Sequence, residues 1–144
     1  MNSFGYEEKL IKEISDILLE QFFGDSNLRI KVLEDKNVSP DLLAKLAEDK
    51  CADVREWVAM HPNTSIETLI KMSKDPAWNV RTAVASNPNL PPEILDILAK
   101  EERIAIRMSV AENPSTFIET VKELTNDEHL LVRKAAQDTL SKRV

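Results

Sequence analysis

Asn79-Val80-Arg81-Thr82-Ala83-Val84-Ala85-Ser86-Asn87-Pro88 is the phrase whose recurrence decides the fold. It stands 26 residues earlier as Asp53-Val54-Arg55-Glu56-Trp57-Val58-Ala59-Met60-His61-Pro62. It stands 26 residues later as Ala105-Ile106-Arg107-Met108-Ser109-Val110-Ala111-Glu112-Asn113-Pro114. Worn copies flank these three, at Asn27-Leu28-Arg29-Ile30-Lys31-Val32-Leu33 and at Leu131-Val132-Arg133-Lys134-Ala135-Ala136-Gln137. Arginines 29, 55, 81, 107 and 133 therefore share one spacing. A period between about 20 and 50 residues signals a stacked array in which each unit buries its apolar face on the next.

Each period reads as two helices. In the first, Val54 and Val58, Val80 and Val84, and Ile106 and Val110 fall four apart, on one helical face. Asn27, Asp53 and Asn79 are suited to cap its start. Pro62, Pro88 and Pro114 exclude the residue before each of them from α conformation. The sequence thus predicts a first helix of about two turns, partly 3₁₀ in character. A longer second helix is expected from the entries Ser39-Pro40-Asp41, Thr64-Ser65-Ile66-Glu67, Pro91-Pro92-Glu93 and Ser115-Thr116-Phe117-Ile118-Glu119. Its core face is expected to carry Leu43, Leu46 and Ala47, then Ile66, Leu69, Ile70 and Met72, then Leu95, Leu98 and Ala99, then Ile118, Val121 and Leu124. The expected fold is all-α: a superhelical solenoid with repeats starting near 28, 54, 80, 106 and 132.

Residues 1–27 stand outside the pattern and read as an N-terminal capping helix ahead of an array over 28–144. Leu10, Ile14, Ile17, Leu18 and Phe22 share one face, with Lys9, Lys12, Glu13, Asp16 and Glu20 around it, and Gly24 as the stop. That face is expected to cover the open end of the core, with docking or dimerisation as the alternative. Phe22 and Phe23 are adjacent and do not both fit a narrow buried stripe. At the other end, Gln137, Asp138, Ser141, Lys142 and Arg143 read as a solvated cap.

Composition narrows the function. Of 144 residues, 42% are hydrophobic and 31% charged, a globular balance. Only two glycines are present, Gly5 and Gly24, which leaves no glycine-rich phosphate loop. A net charge of -6 weighs against a nucleic-acid backbone as the main partner. One cysteine, Cys51, excludes an internal disulfide and an all-cysteine metal site; it reads as a small buried filler near a repeat junction. His129, beside Asp127 and Glu128, lies more than two repeats from His61, and nothing points to further ligands. No metal or cofactor is expected. With no visible signal or membrane span, a cytoplasmic setting is expected.

Val80-Arg81-x-x-Val84-Ala85-x-Asn87-Pro88-Asn89, continuing into Pro92-Glu93-x-Leu95-x-x-Leu98-Ala99, resembles the leucine-rich repeat variant family, a HEAT-like class of helical repeats. The resemblance covers roughly residues 28–140. It implies repeats of one α-helix paired with one short 3₁₀-type helix, and a protein-binding scaffold as the usual task. The period here is slightly longer than is usual in the family. The N-terminus also lacks the cysteine cluster that would imply an iron–sulfur centre.

Three groups of residues are candidates for partner binding. Arg55, Arg81 and Arg107 form either a row of free guanidinium groups for phosphates or acidic peptides, or a ladder of ion pairs. Asp41, Glu67, Glu93 and Glu119 recur at the same interval as the arginines, as do Asp49, Asp75, Glu101 and Asp127. Trp57 and Trp78 have no counterparts in other repeats, so each either fills the core locally or is a binding hot spot. Phe22 and Phe23 complete the set. The asparagines before and after the prolines are expected to bond their own turns. No catalytic grouping stands out. The reading is therefore a non-catalytic interaction or scaffold module, binding another protein or itself. The alternative is a nucleic-acid binder using the arginine column.

Overall fold

The apolar periods fold into ten helices, seen in a computed structural model that describes residues 3–143. In the first helix the described side chains are those of Gly5, Lys9, Leu10, Glu13, Ile14, Ile17, Leu18 and residues 21–24. The expected polar flank at Lys12, Asp16 and Glu20 lies outside the described residues. After α1 (Ser3–Gly24), the Val-Arg phrases form α2 (Ser26–Leu33), α4 (Ala52–Met60), α6 (Trp78–Ser86), α8 (Ile104–Glu112) and α10 (Leu130–Arg143). Between them run α3 (Pro40–Leu46), α5 (Ile66–Met72), α7 (Pro92–Leu98) and α9 (Ile118–Leu124).

The relative lengths invert the expectation. Helices α4, α6 and α8 have nine residues each, whereas α3, α5, α7 and α9 have seven. The prolines do end the first helices as expected: His61, Asn87 and Asn113 are extended at the C-caps. The starts lie further upstream than Asp53 and Asn79, which fall inside the first turn. Asp25 caps α2 instead, accepting the N–H groups of Asn27 and Leu28. Asp49, Asp75 and Asp127 each accept the N–H two residues on, from Cys51, Ala77 and His129, and so turn the chain into the next helix.

The 3₁₀ character expected of the first helices is confined to their ends, as in His61 N–H to Val58 and Asn87 N–H to Val84, and the second helices share it. Their last turns tighten from i→i−4 to i→i−3 bonds, as in Lys74 N–H to Lys71 and Asp75 N–H to Met72. Ser39 and Ser65 cap α3 and α5 as their entries imply. Pro92 sits in the first turn of α7.

Val54, Val58, Val80, Val84, Ile106 and Val110 are fully buried, joined by Leu43, Leu69, Leu95 and Val121 from the second helices. Each such side chain contributes about 1.5–3 kcal/mol by leaving water. The Val-Arg helices pack directly on one another, α4 on α6, α6 on α8 and α8 on α10. Ile66 and Ile70, expected in the core, are exposed; Leu69 and Met72, with Thr68 beside them, carry the buried face of α5.

The N-terminal end departs from the sequence reading. Leu10, Ile14, Ile17 and Leu18 are 47–59% exposed, so the apolar face of α1 does not cover the core. The helix meets the array chiefly at α2, with Phe22 packed on the core. At the far end Gln137, Asp138, Ser141 and Lys142 are exposed as expected, and Arg143 alone is half-buried. Its guanidinium donates to the carbonyls of Thr116 and Asn113 at 2.6 and 2.7 Å.

Candidate functional site

The periodic arginines are not a free row. Four of them meet carboxylates 20 residues on, one layer further along the array. Nε of Arg29 lies 2.6 Å from Asp49, and the corresponding distance is 2.8 Å for Arg55–Asp75, Arg81–Glu101 and Arg107–Asp127. For Arg55, Arg81 and Arg107 a second bond from Nη2 makes the pair a fork, at 3.1, 3.4 and 3.1 Å, whereas Arg29 bonds Asp49 through Nη2 alone, at 3.0 Å, its buried Nε making no hydrogen bond. The remaining amino group, Nη1, turns back to the carbonyl six residues earlier. It reaches Phe23, Asp49, Asp75, Glu101 and Asp127 from Arg29, Arg55, Arg81, Arg107 and Arg133 respectively.

The acidic residues at 49, 75, 101 and 127 thus serve two arginines each, one by side chain and one by backbone. The other acidic column, Asp41, Glu67, Glu93 and Glu119, is exposed and takes no part. Charge follows the geometry. Burial pushes Asp127 up, but the Arg107 hydrogen bond, the His129 N–H and the nearby positive charges outweigh it and hold the carboxyl below its ordinary value. The hydrogen bonds to Asp75 and Asp127 raise Arg55 and Arg107 against their burial.

A second ladder runs through the turns, and the sequence reading caught only half of it. Asn87 and Asn113 do bond their own turns, through the N–H groups of Asn89 and Ser115. Their amide nitrogens also cross to the preceding repeat: Asn87 reaches the Ala59 carbonyl at 2.8 Å, and Asn113 reaches Ala85 and Asn87 at 2.7 and 2.9 Å. His61 takes the same position, with Nε2 2.8 Å from the Asp35 carbonyl and Nδ1 accepting from Asn63. Asn63, Asn89 and Ser115 add a parallel set of bonds to carbonyls one repeat back. The signal was present in the paired polar positions around each proline.

The non-repeating aromatics separate. Trp57 is half-buried against the core, where the next two repeats have Ala83 and Ser109, and it borders a groove of about 240 Å³ with Leu33, Met60 and Pro62. Trp78 is 46% exposed, with the Arg103 guanidinium 5.1 Å from its ring centre. Phe22 and Phe23 meet edge-to-face at 5.3 Å; Phe22 faces the core and Phe23 is 51% exposed. Pro62, Pro88 and Pro114 are exposed at the turns they create. These residues are dispersed along the array and enclose no common pocket. Cys51 is half-buried at the start of α4. Among the described residues no group of three or more His, Cys, Asp or Glu is placed to hold a metal ion, and no helix is long and apolar enough to cross a membrane.

Comparison with known proteins supplies the context. The leucine-rich repeat variant family model matches residues 78–100, one period around the opening phrase. A solved structure described as a leucine-rich repeat variant with a novel repetitive structural motif is similar at 27% identity, with a TM-score of 0.66. The alignment covers 85% of this chain and 49% of that one, so the present chain spans about half its length. No curated protein sequence matches. With the family motif in a central period and a similar repeat architecture around it, the chain is a helical-repeat protein similar to leucine-rich repeat variants.

Proposed function

We propose that the protein is a non-catalytic interaction module that engages another protein through the apolar face of α1. The observation that carries this reading is the exposed row Leu10, Ile14, Ile17 and Leu18, set on a helix anchored to the array through Phe22. An amphipathic helix with its apolar face in water is an arrangement that association relieves. The regular part of the molecule supports the same reading from the other side. Its arginines are engaged in holding layers together, which favours a scaffold over a charged binding track and weighs against the nucleic-acid alternative.

The test is a pair of variants, Ile14→Glu and Leu18→Glu, both at exposed positions that leave the core untouched. Sedimentation of the purified chain reads self-association, and affinity capture reads binding to other proteins. Loss of association in both variants, with unchanged helicity and unfolding midpoint, supports the proposal. Association that persists undiminished overturns it. Tight binding of duplex DNA at low salt, lost in Arg133→Ala, would move the assignment to the alternative.

A further inference from the structure

His61 stands where the other two copies of the phrase have asparagine, and the substitution changes what the junction responds to. Its ring is 5% exposed and bonded at both nitrogens. Nε2 faces the Asp35 carbonyl at 2.8 Å, and a carbonyl only accepts, so Nε2 carries the proton. Nδ1 faces the Asn63 N–H at 3.1 Å, and an N–H only donates, so Nδ1 carries the lone pair. The site is therefore built for one tautomer of the neutral ring. Protonation puts a second donor against the Asn63 N–H, turning an attraction into a repulsion inside a buried turn. Asn87 and Asn113 perform the same two tasks with an amide, which does not titrate.

We infer that His61 makes the junction between the first Val-Arg repeat and the rest of the array a pH-sensitive hinge, released by mild acid while the later junctions hold. The segment it secures is the end of α2 and the loop after it, where Asn63 also bonds the Lys36 and Val38 carbonyls. That segment carries α1 on its other side. The charged groups facing the ring come from the same loop: Glu34 and Lys36 border its groove, and Asp35 supplies the carbonyl. All three are exposed. From α4 the groove receives Trp57 and Met60, and from α6 the nearest junction group is the neutral Asn87. The two carboxylates favour an imidazolium nearby, but neither restores the acceptor that Nδ1 loses.

Linkage fixes the direction. The open segment leaves both ring nitrogens free, whereas the closed junction needs a lone pair on Nδ1, so opening grows as pH falls. Hydrogen exchange of residues 26–38, corrected for the intrinsic pH dependence, reads this opening between pH 7.5 and 5. The decisive variant is His61→Asn, which installs the residue that works at the other two junctions. Wild type is expected to open roughly tenfold or more across the range while residues 80–110 stay protected, and His61→Asn is expected to be flat. Equal pH dependence in the two proteins overturns the inference. So does a ¹⁵N spectrum of wild type showing a protonated His61 ring while residues 26–38 remain protected, a measurement that needs no variant.

Discussion

Arg55 and Asp75 lie 20 residues apart and meet through two parallel hydrogen bonds, of 2.8 and 3.1 Å, while the backbone carbonyl of Asp75 accepts from Arg81. One residue thereby ties three consecutive stretches of chain together.

Removing such a carboxylate strands a guanidinium inside the array. Asp75→Ala and Asp127→Ala, whose side chains are each 8% exposed, are expected to lose about 3–5 kcal/mol. Glu101→Ala breaks a rung that is 26% exposed on its acidic side and is expected to lose less, about 1–2 kcal/mol. Urea unfolding of the three variants gives the order directly.

Glu101 is the exception within its column. Asp49, Asp75 and Asp127 also accept the N–H two residues on, and no such bond forms from Arg103 to the longer side chain of Glu101. Glu101→Asp is expected to add that turn bond and gain about 0.5–1 kcal/mol, with the Arg81 pair kept. A lower thermal midpoint than wild type would show that the longer side chain is needed to reach Arg81.

Asn113 is 2% exposed and serves three backbone groups, the Ala85 and Asn87 carbonyls and the Ser115 N–H. Asn113→Ala removes all three bonds, leaving the Asn87 carbonyl only the Leu90 N–H, and is expected to cost about 3 kcal/mol. Asn113→Asp replaces the donor with a carboxylate aimed at two carbonyls and is expected to be at least as damaging at neutral pH. Chemical unfolding at pH 7 compares them.

Acid acts on the arginine ladder through Asp127. Its folded-state value lies below that of the unfolded chain, so its contribution is complete above about pH 4 and is lost as pH falls through the folded value. Unfolding midpoints measured from pH 6 down to 2 are expected to drop in the lower half of that range, and to drop less steeply in Asp127→Asn.

The repeating scaffold was largely legible because its causes are local and periodic: Val80 and Val84 point one way, Pro88 stops the helix, and Arg81 recurs with an acidic residue in phase. Helix lengths were less legible. The first helices start upstream through Asp49, Asp75 and Asp127, whose side chains were read as ladder partners and not as turn formers. The second helices end after seven residues, in turns closed by i→i−3 bonds. The apolar face of α1 looked like a cap, since periodicity shows that a face exists and not what it meets. Trp78 was ambiguous for a related reason: its partner, Arg103, comes from the next repeat at an offset that no pattern marks.

The arginine rungs have one further consequence, which concerns inheritance. Every rung uses the same offsets, 20 residues forward to a carboxylate and six back to a carbonyl. The array therefore has translational symmetry in its bonding, though not in its surface. Loss or duplication of an in-phase block of 26 residues leaves each surviving rung with its full set of donors and acceptors. Array length is thereby free to change in whole steps over evolutionary time, while exposed positions such as Trp78 and Phe23 diverge independently of the machinery that stacks the layers.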